Sequence, residues 1–131
     1  MVDLKAQYVG IKEEVEQGIA EVISSCAFIN GPAVQKFKAD LADYLNVAHV
    51  IPCANGTDAL QVALMALDLP RGAEIIVPSF TYVATTEVIV LLGLHPKFVE
   101  VDEGSFNMNP AAIEAAITSN TKAIMPVHLF G

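Results

Sequence analysis

From residue 49 onward the chain alternates between two periods. Short apolar runs at His49–Cys53, Glu74–Pro78, Lys97–Val101 and Ala123–Val127 read as buried strands. Between them, Thr57–Leu67, Thr81–Leu92 and Asn109–Ile117 carry apolar residues at helical spacing. Gly93 supplies a stop for the second of these helices, and Pro110 stands at the first position of the third. A β-α-β-α-β-α-β rhythm predicts the α/β class: a mostly parallel sheet joined by right-handed crossovers. Ahead of it, Lys12–Ser24 reads as a helix through Ile11, Val15, Ile19, Val22 and Ile23. Ala33–Leu45 reads as a second, with Val34, Phe37, Leu41 and Leu45 on one face. Cys26–Pro32 breaks the two apart, with Asn30-Gly31-Pro32 as punctuation.

In an open parallel sheet, ligands bind just beyond the carboxyl ends of the strands. Three groups of residues fall there. The first is Ala54-Asn55-Gly56-Thr57-Asp58-Ala59-Leu60, a glycine turn opening a helix. Gly56 allows close approach of a ligand to the backbone, and Thr57 and Asp58 are good cap types. Free N–H donors and the helix dipole make such a start a phosphate site. It is neither the dinucleotide fingerprint nor a P-loop, and an ordinary capped helix would read the same. The second is Pro78-Ser79-Phe80-Thr81-Tyr82, where an aromatic could stack on a planar ligand or simply fill the core. The third is Asp102 with His128, which serve equally well as a turn residue and a structural histidine.

Composition removes several classes. A net charge of −8, with seven basic residues spread thinly, is no footprint for nucleic acid or for an anionic membrane. No charged-then-apolar leader opens the chain, and no apolar run is long enough to cross a bilayer. Cys26 and Cys53 have neither metal nor redox spacing and suit a reduced, cytoplasmic protein. No metal cluster and no Ser-His-Asp grouping is present in the pattern. The 131 residues are 53% hydrophobic, more than a typical small domain. The last strand is followed by no covering helix. The expectation is a chain cut short, with apolar faces and sheet edges that drive it to dimerise or aggregate.

These segments, taken in order, resemble the N-terminal portion of the DegT/DnrJ/EryC1/StrS sugar aminotransferases. The resemblance runs through Val2-Asp3-Leu4-Lys5-Ala6-Gln7-Tyr8, Phe28-Ile29-Asn30-Gly31-Pro32, Ala54–Leu60, Pro78–Thr85 and Leu91-Leu92-Gly93. It continues through Phe98–Asp102 and Ala115–Ile124 and closes on Pro126-Val127-His128-Leu129-Phe130-Gly131. One small departure is Gly72-Ala73-Glu74, where that family commonly has Gly-Asp-Glu.

The resemblance implies the N-terminal part of the large domain of an aspartate-aminotransferase-like (fold type I) three-layer α/β/α fold. Residues 1–32 would be the N-terminal helix and active-site or dimer loop, and 33–131 a partial cofactor-binding domain. It implies pyridoxal 5'-phosphate, with Gly56, Thr57 and Asp58 at its phosphate and Tyr82, rather than Phe80, on its ring. Phe28, Asn30 and Gly31 would lie near the active site and the contact between subunits of a homodimer. His128 would lie near the substrate. The substrates would be an amino acid, with glutamate expected, and a nucleotide-linked keto-sugar. The lysine that binds the cofactor covalently, and the aspartate at its ring nitrogen, would lie beyond Gly131. This segment alone is therefore expected to be inactive. A sugar dehydratase relative, a non-catalytic interaction module and a site for some other phosphate ligand are the alternatives.

Overall fold

The computed structural model describes residues 2–130. By its internal contacts the chain divides into two compact units, Met1–Pro52 and Cys53–Gly131.

The first unit is helical. Helix α1 spans Leu4–Ser25 and helix α2 spans Pro32–Leu45. Asp3 caps α1 by accepting from the Ala6 N–H at 3.0 Å, and left-handed Cys26 ends it. Gly31 and Pro32 start α2. Gly31 is required by space: a Cβ there would collide with the Ala27 carbonyl oxygen. Neither helix has a fully buried residue. A cleft of about 640 Å³ between them is lined by Gly18, Val22, Ala33 and Phe37, among others.

The second unit contains helix α3 (Gly56–Ala66), strand β1 (Glu74–Pro78), helix α4 (Ala84–Leu91) and strand β2 (His95–Val99). Helix α5 (Pro110–Ala116) and strand β3 (Thr121–Ile124) follow. The three strands are parallel, in the order β2-β1-β3. β1 is central and covered on both faces: Ile75, Ile76, Val77 and Pro78 are all buried. Ile75 and Val77 pack with Leu64 of α3, Val88 and Ile89 of α4, and Leu94. Each such side chain contributes about 1.5–3 kcal/mol on leaving water.

The expected strand at His49–Cys53 does not form. A strand exists only beside a partner, and residues 49–53 make no backbone hydrogen bond among the described residues; Ile51 is exposed. The other strands keep their places but shift. β2 and β3 each begin and end earlier than their apolar runs suggest, because pairing with the five residues of β1 sets their limits. Beyond β2 the chain is already looping back, and Val101 makes only an isolated antiparallel bridge to Met108. α4 starts at Ala84, not Thr81, after a bend at residues 79–81.

Candidate functional site

The short connections from α3 to β1 and from β1 to α4 reverse the chain, so both helices run opposite to the strands. Their N-termini therefore lie at the carboxyl edge of the sheet. The start of α3 is built by Asn55, which is the cap, while Gly56, Thr57 and Asp58 are the first three helical residues. The Asn55 carboxamide oxygen accepts from the Asp58 N–H at 2.9 Å, and its NH₂ group donates to the Asp58 carboxylate at 3.2 Å. The Ala59 N–H bonds back to the Asn55 carbonyl. Two donors remain: among the described residues nothing accepts from the N–H groups of Gly56 and Thr57. A Cβ added at Gly56 meets nothing within 4 Å, so the backbone is uncrowded on that side. The expected caps, Thr57 and Asp58, are thus corrected to Asn55. The signal for it was present in Asn55-x-x-Asp58, a capping-box spacing.

The bend after β1 separates its two aromatics. Ser79 is tied down, its N–H donating to the Val99 carbonyl at 2.8 Å and its hydroxyl to Glu100 Oε2 at 3.1 Å. The hydroxyls of Thr81 and Thr85 pair at 3.2 Å. Phe80 is half-exposed and packs on Phe106, with ring centroids 5.4 Å apart. Tyr82 is 74% exposed. Neither ring belongs to the buried core, and Tyr82 is the more exposed of the two.

Asp102 holds its own loop together. Its Oδ1 accepts from the N–H groups of Gly104 at 3.0 Å and Ser105 at 2.9 Å. Ser105, through its backbone and then its side chain, and Gly104 hold the carboxyl below the usual aspartate range. This is the turn role. His128 is exposed and lines a cavity of about 310 Å³ with Asn107, Met108, Ile113, Pro126 and Val127. Gly131, which closes the last motif, lies outside the described residues.

Phe28, Asn30 and Gly31 belong to the first unit. Phe28 is exposed, and Asn30 sits in left-handed backbone with its Oδ1 accepting from the Gln35 side chain at 2.7 Å. Gly56, Thr57, Asp58, Phe80, Tyr82, Asp102 and His128 all belong to the second unit. The sequence reading missed Phe106 and the Ser79–Glu100 link. Asp102-x-Gly104-Ser105 was the one signal that a structured turn lies after β2. Among the described residues no cluster of His, Cys, Asp and Glu could hold a metal, and no helix is long and apolar enough to cross a membrane.

Comparison with known proteins gives consistent results. The sequence profile of the DegT/DnrJ/EryC1/StrS aminotransferase family matches residues 9–131. A UDP-2-acetamido-2-deoxy-3-oxo-D-glucuronate aminotransferase of Pseudomonas aeruginosa is 47% identical over 130 residues, 99% of this chain and 36% of its own. The crystal structure of a DegT/DnrJ/EryC1/StrS aminotransferase from Brucella abortus matches with a TM-score of 0.92 at 46% identity, over 99% of this chain and 37% of that one. NtdA of Bacillus subtilis, solved with bound cofactor PMP, matches with a TM-score of 0.85 at 37% identity, over 91% of this chain and 27% of that one. The chain thus spans roughly a third of the length of such relatives and corresponds to their N-terminal portion. Its α/β fold with an open parallel sheet is theirs.

Proposed function

The chain belongs to the DegT/DnrJ/EryC1/StrS aminotransferase family, and from that premise we propose the activity of the whole protein it represents. That protein transfers an amino group from an amino acid, glutamate being the expected donor, to a keto group on a nucleotide-linked sugar. It works in the cytoplasm as a homodimer with pyridoxal 5'-phosphate. The observation that carries this reading is the start of α3: two N–H donors that meet no acceptor among the described residues, on the same sheet edge as an exposed tyrosine.

The residues present fit the cofactor. The N–H groups of Gly56 and Thr57, with the Thr57 hydroxyl, bind and orient its phosphate. Asn55 and Asp58 hold that turn in shape by their mutual bonds. Tyr82 would stack on the ring of the cofactor and shield one face from water. When bound, the cofactor supplies a ring that withdraws electrons from bonds at the amino acid's α carbon. The lysine and aspartate that the family's chemistry needs are placed by the resemblance outside these residues, so this segment alone is inactive.

Phe28, Asn30, Gly31 and His128 serve the substrate and the contact between subunits. Residues 1–32 face substrate and partner and 33–131 contribute to the cofactor domain, although α2 packs within the first unit.

The test is titration of the chain with pyridoxal phosphate and with pyridoxal, followed by borohydride trapping and peptide mapping. Saturable binding that needs the phosphate, weakens in Thr57→Ala and Tyr82→Ala, and leaves no one-to-one trapped lysine supports the reading. Equal binding of pyridoxal, or indifference to both substitutions, overturns the site. A single stoichiometric lysine adduct overturns the inactivity of the segment.

A further inference from the structure

Phe106 is the one bulky aromatic of the described residues in left-handed backbone, at φ +58°. Asparagine or glycine adopts that conformation far more readily. The loop around it is tightly specified. The Phe106 N–H donates to the Asp102 carbonyl at 2.8 Å, and the Asp102 N–H donates to the Asn107 carbonyl at 2.9 Å. The Asp102 side chain secures Gly104 and Ser105. The strained backbone aims the ring at two others. Its centroid is 5.4 Å from that of Phe80, tilted by 35°, and 5.3 Å from that of Phe130, edge-on at 81°. Both arrangements are favourable for aromatic pairs. Phe80 follows β1, Phe106 follows β2 and Phe130 follows β3. One ring therefore joins the segments leaving all three strands, at the edge where the ligand crevice lies.

We propose that Phe106 is a positioning residue for the cofactor site. By holding Phe80, it fixes the bend at residues 79–81 and keeps the Phe80 ring occupied, so that Tyr82 is the aromatic presented to the cofactor. By holding Phe130, it anchors the segment that carries His128. This rests on the cofactor reading given above. The acceptance of a left-handed phenylalanine, where a smaller residue would be relaxed, is explained by what its ring joins.

The experiment uses the full-length protein containing this segment, loaded with pyridoxal phosphate. It reads the visible circular dichroism of the bound cofactor, which reports ring orientation, and the cofactor dissociation constant. Phe106→Ala and Phe106→Gly should both reduce the dichroism and weaken binding by about two- to tenfold, the worth of one or two aromatic contacts. Phe106→Tyr should restore both. Phe80→Ala should reproduce the change, and Phe106→Ala made in its presence should add little. Wild-type signals in Phe106→Gly overturn the proposal, since that variant relaxes the backbone and removes only the ring. Full additivity of Phe80→Ala and Phe106→Ala also overturns it. Thr57→Ala and Tyr82→Ala are the reference. If neither alters cofactor binding, the site reading has failed. If both do and the Phe106 variants do not, only this inference has.

Discussion

The helical pair of residues 1–52 and the sheet unit of residues 53–131 are stabilised in different ways. In α1 and α2 no side chain is buried, and Ile19, Ile23, Phe37 and Leu45 are all exposed. What defines these helices is local: the Asp3 cap, Pro32 at a first position, and left-handed Cys26 and Asn46 at their ends. In the sheet unit Asn55 and Asn109 cap α3 and α5 in the same local way, but β1 is also closed off from water on both faces. Local signals delimit an element; burial decides whether it persists. The free N–H pair at α3 is useful because it stands on the unit that has a core. A site geometry needs a rigid support beneath it.

The largest effect that tests this contrast is Ile75→Ala. It should cost about 2–5 kcal/mol, read as lost hydrogen-exchange protection across β1, because it opens a cavity in the packed centre. Ile19→Ala in α1 should change protection by less than about 0.5 kcal/mol, as at other exposed positions. Equal losses at the two sites would dissolve the distinction. Next in size is Gly31→Ala. Its new methyl would press on the Ala27 carbonyl, and the colliding atom is backbone. The expected cost is about 1–3 kcal/mol. It should appear as amide shifts confined to residues 27–35, with β1 protection unchanged. A response in β1 would mean that the helical pair and the sheet unit unfold together.

Asn55→Ala should be smaller, about 0.5–2 kcal/mol, since it removes a cap and leaves the core intact. Protection should fall in the first turn of α3 and phosphate affinity should fall with it; a loss of stability without loss of affinity would separate the cap from the site. That position also shows what could be read from the residues alone. The strand Glu74–Pro78 was legible to the residue, because turn residues bound it and its last four positions are buried. The strand at His49–Cys53 was not, since a run of apolar residues states a capacity to pair and says nothing about a neighbour. Gly56 and Thr57 were legible as the opening of a helix, and Tyr82 as a residue that follows β1. Asn55 was passed over because Thr57 and Asp58 are equally good caps by type, and only the hydrogen bonds distinguish them. Phe106 was illegible because its backbone is set by Asp102, four residues earlier, and its partners lie on two other segments.

The smallest effect concerns Glu74, at the opposite end of β1 from the ligand edge. Its carboxylate accepts from the Thr118 hydroxyl at 2.6 Å and the Thr121 hydroxyl at 3.3 Å, and pairs with Lys97 at 3.5 Å. It thereby joins β1 to β2 and to the turn before β3. The Thr118 hydrogen bond above all, then Lys97 and Thr121, hold it below the usual glutamate range, against an opposing effect of desolvation. A carboxyl lowered by folding stabilises the fold fully above its unfolded value. That contribution is lost as pH falls from about 4.5 through the lowered one. The pairs Lys12–Glu16 and Lys36–Asp40 of the helical unit are exposed and each lies within one helix, and they should contribute little, even though Glu16 also accepts from the Tyr8 hydroxyl at 3.0 Å. Urea midpoints followed by circular dichroism from pH 7 to pH 3 should therefore fall less steeply in Glu74→Gln than in the parent chain. Lys36→Ala should leave the curve unchanged. Identical acid slopes in the parent chain and Glu74→Gln would mean that backbone pairing alone holds this end of the sheet. A steep change in Lys36→Ala would move the electrostatic weight to the helical pair and reverse the contrast.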